Sequence, residues 1–400
     1  MKKIIFLLLV SSRLWAQDLN VQAKEFYSFV NVEEAEKFYV NLPKKASSDP
    51  DADALHAEFR AQLAVDWLTK GDFKKYRLYK DQGAVFNALQ IFELSNLFEK
   101  WEAENKFTAE VEKISRELID DIENKKFRDQ FSRKEILYEV NAMANARLGK
   151  LDLADQSLAK APNTPFRSFA YFRNTKANYL NRLSYILSAK GNHQQALDTL
   201  TAAIREANST DALIGTYREV YKKVHGNTNG LEESIKALQA EAYQKIYKEV
   251  EKEWKAEPIV APDIPMTDLS GNQVKLSDHR GKIVVIDFWS TSCKPCVAAF
   301  PAFERAVEAY KNEPFKLFVV DIGEDAQTIK TFMQKKGFGL DVLIDKEPGI
   351  FKALKALGTP QKYIIDAKGN IYLTGIGYAG SDHKEYFKLK AMVELTKARS

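Results

Sequence analysis

Apolar positions recur at steps of three and four through most of the chain, then change to short β-branched blocks in its last third. The segment "LEESIKALQAEAYQKIYKEVEKEWK" places Leu231, Ile235, Leu238, Ala242, Ile246, Val250 and Trp254 on one stripe, which predicts a long amphipathic helix. It is expected to stop at "AEPIVAPDIP", because Pro258, Pro262 and Pro265 cannot continue it. A domain boundary is placed there, between residues 256 and 257. Beyond it "KIVVIDFW", "FKLFVVDIG" and "LDVLID" read as strands, and "QKYIIDAKGNIYLTGIG" as two strands joined by a turn at Lys368-Gly369-Asn370. Between and after them "CVAAFPAFERAVEAYK", "DAQTIKTFMQKKGF", "PGIFKALKALG" and "HKEYFKLKAMVELTKA" read as helices. Strands and helices in turn predict an α/β sheet over 257–400, preceded by an all-α domain over 17–256.

The breakers agree with this division. Residues 1–256 carry seven of the 18 glycines and four of the 12 prolines, so these concentrate in the shorter C-terminal part. In "LNRLSYILSAKGNHQQALDTLTAAIREA", Leu183, Leu187, Gly191, Ala196, Leu200 and Ala203 have the spacing of a tetratricopeptide repeat: helix, glycine turn, helix. A looser copy holds Gly149, Ala154, Leu158 and Ala161, and a fainter one surrounds Gly71. The glycine spacings are not multiples of one repeat length, so a degenerate repeat array over about 25–225 and an irregular helical bundle both stand. The aromatics here (Phe26, Tyr27, Phe29, Phe38, Tyr39) read as core rather than a ligand cage.

The first residues, "MKKIIFLLLVSSRLWAQ", read as a bacterial secretory leader over 1–16: Lys2 and Lys3, a short apolar run, then Ala16. That run is too short to span a bilayer, and no other long apolar run follows, so no stable membrane insertion is expected of the mature chain. Its implied destination is a Gram-negative periplasm, an oxidising compartment. With 59 basic and 55 acidic residues the formal charge is +4, and no dense basic cluster carries interleaved aromatics. Nucleic acid is therefore not an expected partner.

Only two cysteines occur, Cys293 and Cys296, in "VVIDFWSTSCKPCVAAFPAFERA". A Cys-x-x-Cys pair between a buried strand and a helix is a redox site. Unpaired N–H groups and partial positive charge at a helix N-terminus favour a thiolate on Cys293, and Cys296 in the first turn can close a disulfide with it. Pro295 starts the helix without wasting an N–H, and Lys294 adds positive charge beside the nucleophile. A zinc site would need further ligands, and neither more cysteines nor a suitable histidine pair exists among His56, His193, His225, His279 and His383. A purely structural disulfide would close too small a loop to stabilise much. A peroxiredoxin would need Thr and Pro where Ser290 and Ile286 stand.

From these residues on, the chain resembles the thioredoxin fold, and more narrowly the TlpA/ResA-like extracytoplasmic thiol-disulfide oxidoreductases. The resemblance covers about 257–400 and rests on "APDIPMTDLSGNQVKLSDHRGK", "VVIDFWSTSCKPC", "DVLIDKEPGIFKALKALGTP" and "KYIIDAKGNIYL". It implies that Cys293 attacks, that Cys296 resolves, and that Asp287 is a buried acid taking the resolving proton. It implies a cis Thr359-Pro360 bond and a substrate-binding set of Trp289, Lys294, Pro295, Thr359 and Pro360. The implied partners are a protein disulfide or dithiol and a membrane-bound redox protein that recycles the site, with no cofactor and no metal. Two positions depart from the pattern: Ser292 replaces a common Trp, and Ala299 a Glu. A rival reading makes the helical domain a partner-binding module and the thioredoxin domain a sensor or scaffold.

Overall fold

A computed structural model of the chain describes residues 19–42, 50–126, 129, 132–161, 174–347 and 349–399. The expected leader over 1–16 lies outside the described residues. The chain divides into two compact units, Met1–Ala144 and Asn145–Ser400.

The first unit is helical: α1 (19–28), α2 (Val32–Asn41), α3 (Pro50–Thr69), α4 (Phe73–Asp81), α5 (Ala88–Ala103), α6 (Thr108–Glu123) and most of α7 (Arg133–Arg147). Of the five aromatics read as core only Phe26 is buried, while Phe29, Phe38 and Tyr39 are half-buried. Phe26 stacks on Phe59 at 4.0 Å, while Tyr27 is exposed and donates its hydroxyl to Glu58.

The second unit begins with α8 (Leu151–Ala159), α9 (Thr175–Ala189), α10 (His193–Arg205), α11 (Asp211–His225) and α12 (Leu231–Lys252). The α9–α10 turn closes at Gly191, whose φ of +89° is a left-handed conformation that a side chain would strain. Leu183 and Leu187 are only half-buried, because the inward face of α9 carries Ala177 and Ile186 among Asn181, Arg182, Ser184 and Ser188. Helix α12 buries the whole predicted stripe from Leu231 to Val250. Trp254 lies past the helix end and stacks on Tyr372 at 4.7 Å.

The sheet contains β1 (Ile259–Val260), β2 (Met266–Asp268), β3 (Gln273–Val274), β4 (Ile283–Trp289), β5 (Phe315–Asp321), β6 (Asp341–Ile344), β7 (Gln361–Ile365) and β8 (Asn370–Ile376). Their spatial order is β1-β8-β7-β4-β5-β6-β2-β3. Strand β4 runs parallel to β5 and antiparallel to β7, and β5 runs parallel to β6. The helices are α13 (Lys294–Ala309), α14 (Ala326–Lys336), α15 (Gly349–Ala353) and α16 (Asp382–Arg399). This is the thioredoxin arrangement expected of the C-terminal region. The short strands β1–β3 were not among the elements that periodicity predicts; two or three residues carry too little pattern to be seen.

Every residue of β4 is buried. Ile283, Val285 and Trp289 join one core with residues of α13, α14 and α16, and Val284, Ile286 and Phe288 join the opposite core with Leu276 and Ile350. Ala242, Ile246 and Val250 of α12 belong to the first of these cores, so α12 covers part of the α13/α16 layer. Polar contacts reinforce that packing. His383 of α16 meets Ser209 at 2.8 Å and Asp211 at 3.0 Å, and Arg305 of α13 pairs with Asp211 at 2.8 Å. Among the described residues no helix is long and apolar enough to cross a membrane.

Truncating Ile246, which is 6% exposed, should cost about 2–4 kcal/mol as Ile246→Ala, read by urea denaturation. The exposed Lys248→Ala control should stay within about 0.5 kcal/mol. Equal stability of the two variants would mean that α12 is not part of this core.

Candidate active site

The site forms where β4 ends. The strand emerges from between β5 and β7 at Trp289, and residues 290–292 turn the chain into α13. Cys293 is the N-cap of α13, and its Sγ accepts the Cys296 backbone N–H at 3.3 Å. An N-terminal amide of the helix thus points at the first sulfur, where it favours negative charge. Pro295 lies in the first turn, where a missing N–H costs nothing. Cys293 and Cys296 form a disulfide with their Cα atoms 5.3 Å apart. The two sulfurs are unequal: Cys293 is half-buried and Cys296 fully buried, with its Sγ 3.8 Å from the Phe288 carbonyl. An incoming reagent therefore meets Cys293 first.

The turn before the disulfide is held by a carboxylate. Glu324 accepts both the Thr291 N–H and the Thr291 hydroxyl, each at 2.6 Å. Beside it, buried Asp321 ends β5 and accepts the N–H groups of Gly323 and Glu324. Burial pushes the Asp321 carboxyl up to about 7, and the neighbouring Glu324 carboxylate adds to the shift. Sequence reading named neither acid.

Thr359-Pro360 is cis, as the family resemblance implied. The Pro360 carbonyl accepts the Gly377 N–H at 2.9 Å, which ties this loop to the end of β8. Lys294 and Thr359 are half-buried, whereas Pro295 and Pro360 are buried. Trp289 requires a correction as a substrate-binding residue. It is 0% exposed, packed between Phe300 at 5.0 Å and Phe332 at 5.8 Å, and its ring is core rather than contact surface.

Asp287 lies on the same side of β4 as Val285 and Trp289, the side that α13 covers. It is 0% exposed, and among the described residues neither carboxylate oxygen has a hydrogen-bond partner. Burial pushes its pKa up to about 7; the Lys362 ammonium pulls against that shift, and Glu385 adds to it. Lys362 and Glu385 were also missed. The signal was present in "QKYII", a lysine inside an otherwise buried strand. What could not be read was the register that puts Lys362 opposite Asp287. Among the described residues no cluster of three or more histidine, cysteine or acidic side chains is placed to hold a metal ion.

An unequal cysteine pair at a helix N-terminus, following a central strand that carries a buried acid and pairs with the strand after a cis-proline, defines a thiol-disulfide exchange centre of thioredoxin type. The AhpC/TSA family profile matches residues 260–374. The thiol-disulfide oxidoreductase ResA of Geobacillus kaustophilus is 32% identical over 111 residues, covering 28% of this chain and 64% of that protein. ResA of Bacillus anthracis is 30% identical over 130 residues, 32% of this chain and 75% of that protein. The chain belongs to this family of ResA thiol-disulfide oxidoreductases, although it spans only 64% of the length of the Geobacillus relative. The crystal structure of the thioredoxin domain of a Bacteroides vulgatus thiol-disulfide oxidoreductase is 25% identical, covers 35% of this chain and 99% of that one, and has a TM-score of 0.31.

The raised Asp287 pKa makes a stability prediction. The folded chain holds this proton more tightly than the unfolded chain, whose carboxyl titrates near 3.8. Its contribution is therefore complete below pH about 4 and is lost as pH rises through about 7. Asp287→Asn cannot ionise, so it should be more stable than the parent at pH about 8, by roughly 2–4 kcal/mol. The gap should close toward pH about 4, and a gap independent of pH in urea denaturation refutes the assignment.

Proposed function

We propose that this chain is an exported thiol-disulfide oxidoreductase that reduces disulfides in partner proteins. The observation that carries the reading is the pairing of a half-buried Cys293 at a helix N-terminus with a fully buried Cys296. In the reduced protein the Cys293 thiolate attacks a partner disulfide, and one partner sulfur leaves as a thiolate. Cys296 then gives its proton to Asp287 and attacks Cys293, releasing the second partner sulfur and leaving the Cys293–Cys296 disulfide. Lys294 supports the Cys293 thiolate by its charge. Pro295 shapes the first turn, and Thr359 before Pro360 offers its backbone to an extended substrate strand.

The remaining assignments extend this reading. The leader over 1–16 directs the chain to a periplasm, where a membrane-bound redox protein returns the site to the dithiol. The helical region over 17–256 is an all-α domain, a degenerate tetratricopeptide-like array or an irregular bundle, and the redox domain starts at 257. A second reading, in which the helices do the biological work and the redox domain senses or scaffolds, draws support from the packing of α12 on the α13/α16 layer. Replacing both cysteines by serine separates the two. Loss of biological activity favours the oxidoreductase, and full retention favours the binding module.

Single variants test the order of events. Cys293→Ser should abolish disulfide exchange, whereas Cys296→Ser should accumulate mixed disulfides that non-reducing electrophoresis resolves. Failure of Cys296→Ser to capture any protein in its own compartment counts against a protein substrate. The reduction potential of the pair tests the direction. A value at or below about −270 mV fits a reductase, and one near −120 mV reverses the assignment.

A further inference from the structure

Three ionisable side chains from three different elements meet on the side of β4 that α13 covers, with almost no access to water. Asp287 of β4 is 0% exposed, Lys362 of β7 2%, and Glu385 of α16 1%. The lysine is housed on purpose-shaped ground. Its stem crosses β8 at Gly375, where a Cβ would come within 2.9 Å of Lys362 Cγ, so any larger residue would collide with it. Its Nζ donates to the Gly377 carbonyl at 3.2 Å and lies 5.7 Å from the centre of the Phe303 ring.

The two carboxylates do not share this lysine equally. Nζ is 2.9 Å from Glu385 Oε1 but 3.8 Å from Asp287 Oδ1, beyond hydrogen-bond length. Glu385 Oε2 also accepts the Ala379 N–H at 2.7 Å, so both its oxygens are occupied. Both oxygens of Asp287 are without a hydrogen bond among the described residues. One acid is saturated and the other is left open.

Resting on the reading of Asp287 as the proton acceptor, we propose that Glu385 is a positioning residue for that transfer: it draws the Lys362 ammonium away from Asp287 and leaves the carboxylate free to take the Cys296 proton. A lysine bonded directly to Asp287 would fix it as a contact ion pair and make it a weak base. With no lysine at all, two buried carboxylates would face each other and Asp287 would stay protonated at working pH. Glu385 sets the balance between these limits. Burial pulls the Lys362 ammonium down, but Glu385 and Asp287 outweigh burial and raise its pKa, so it remains a cation. Among the described residues, the charged groups acting on Asp287 are Lys362 from β7 and Glu385 from α16; Cys296 lies in α13, which covers the same side of β4. The β5 residue in register is the apolar Val319.

The test follows a single step. The reduced full-length chain is mixed with Ellman's reagent, whose disulfide breaks to cap Cys293 with one 5-thio-2-nitrobenzoate and release the other half as a first coloured thiolate, so the step of interest is the second release. Attack by Cys296 then expels that group as a coloured thiolate, and the rate is followed from pH about 5 to about 9. The parent rate should rise with a midpoint near 7, where Asp287 becomes a base. In Glu385→Gln the ammonium turns to Asp287 and the midpoint should fall by about one pH unit or more. In Lys362→Met it should rise by a similar amount, and Glu385→Asp, which keeps the charge, should lie between the parent and Glu385→Gln. Opposite shifts from two neighbours in one cluster are not what loosened packing produces. If Glu385→Gln does not fold by circular dichroism, Lys362→Met and Glu385→Asp decide the matter in the same assay. If Asp287→Asn keeps the parent profile, the base reading itself fails. If Asp287→Asn abolishes the pH-dependent rise while the Glu385 and Lys362 variants keep the parent midpoint, the base stands and the positioning role is overturned.

Discussion

A strand buried on both faces fixes everything else in the redox region. Residues Ile283–Trp289 have no wet side, so β4 can only occupy the middle of the sheet, between β5 and β7. Side chains then alternate between two dry cores, and Asp287 has no route to solvent. The same placement delivers the end of the strand to the N-terminus of α13, where the unpaired amides lie. Central burial thus creates both the costly acid and the favourable position for a thiolate, a few residues apart.

Burying a carboxylate demands either a proton or a counter-charge. This chain supplies a partial version of each: an ammonium at 3.8 Å, with a second acid competing for it. The cluster also reaches the neighbouring backbone. Lys362 bonds to the Gly377 carbonyl, the Gly377 N–H bonds to Pro360, and Glu385 holds Ala379. Asn174, just before α9, accepts the Asp382 N–H at 2.7 Å, so helical and redox elements of the second unit meet at the same stretch of chain.

The elements with strong period were legible in the sequence. The stripe of α12 was readable residue by residue up to Val250, because a long helix repeats its pattern often enough to be unambiguous. The β-branched run of β4 and the cysteine pair were equally plain, since both are local signals. Asp287 and the cis bond at Pro360 came from resemblance to a family rather than from any local pattern. Lys362, Glu385, Asp321 and Glu324 stayed hidden because their significance lies in pairings across the sheet, and register is not written in any one strand. Trp289, which the resemblance placed in the substrate-binding set, instead packs into the α13 core, because β4 has no wet face on which it could stand.

With two cysteines in 400 residues, the chain has a single possible internal disulfide connectivity. A nascent chain in an oxidising compartment therefore cannot scramble its own bridges. Whatever the order in which its helices and strands assemble, oxidation within one molecule always arrives at the native pairing.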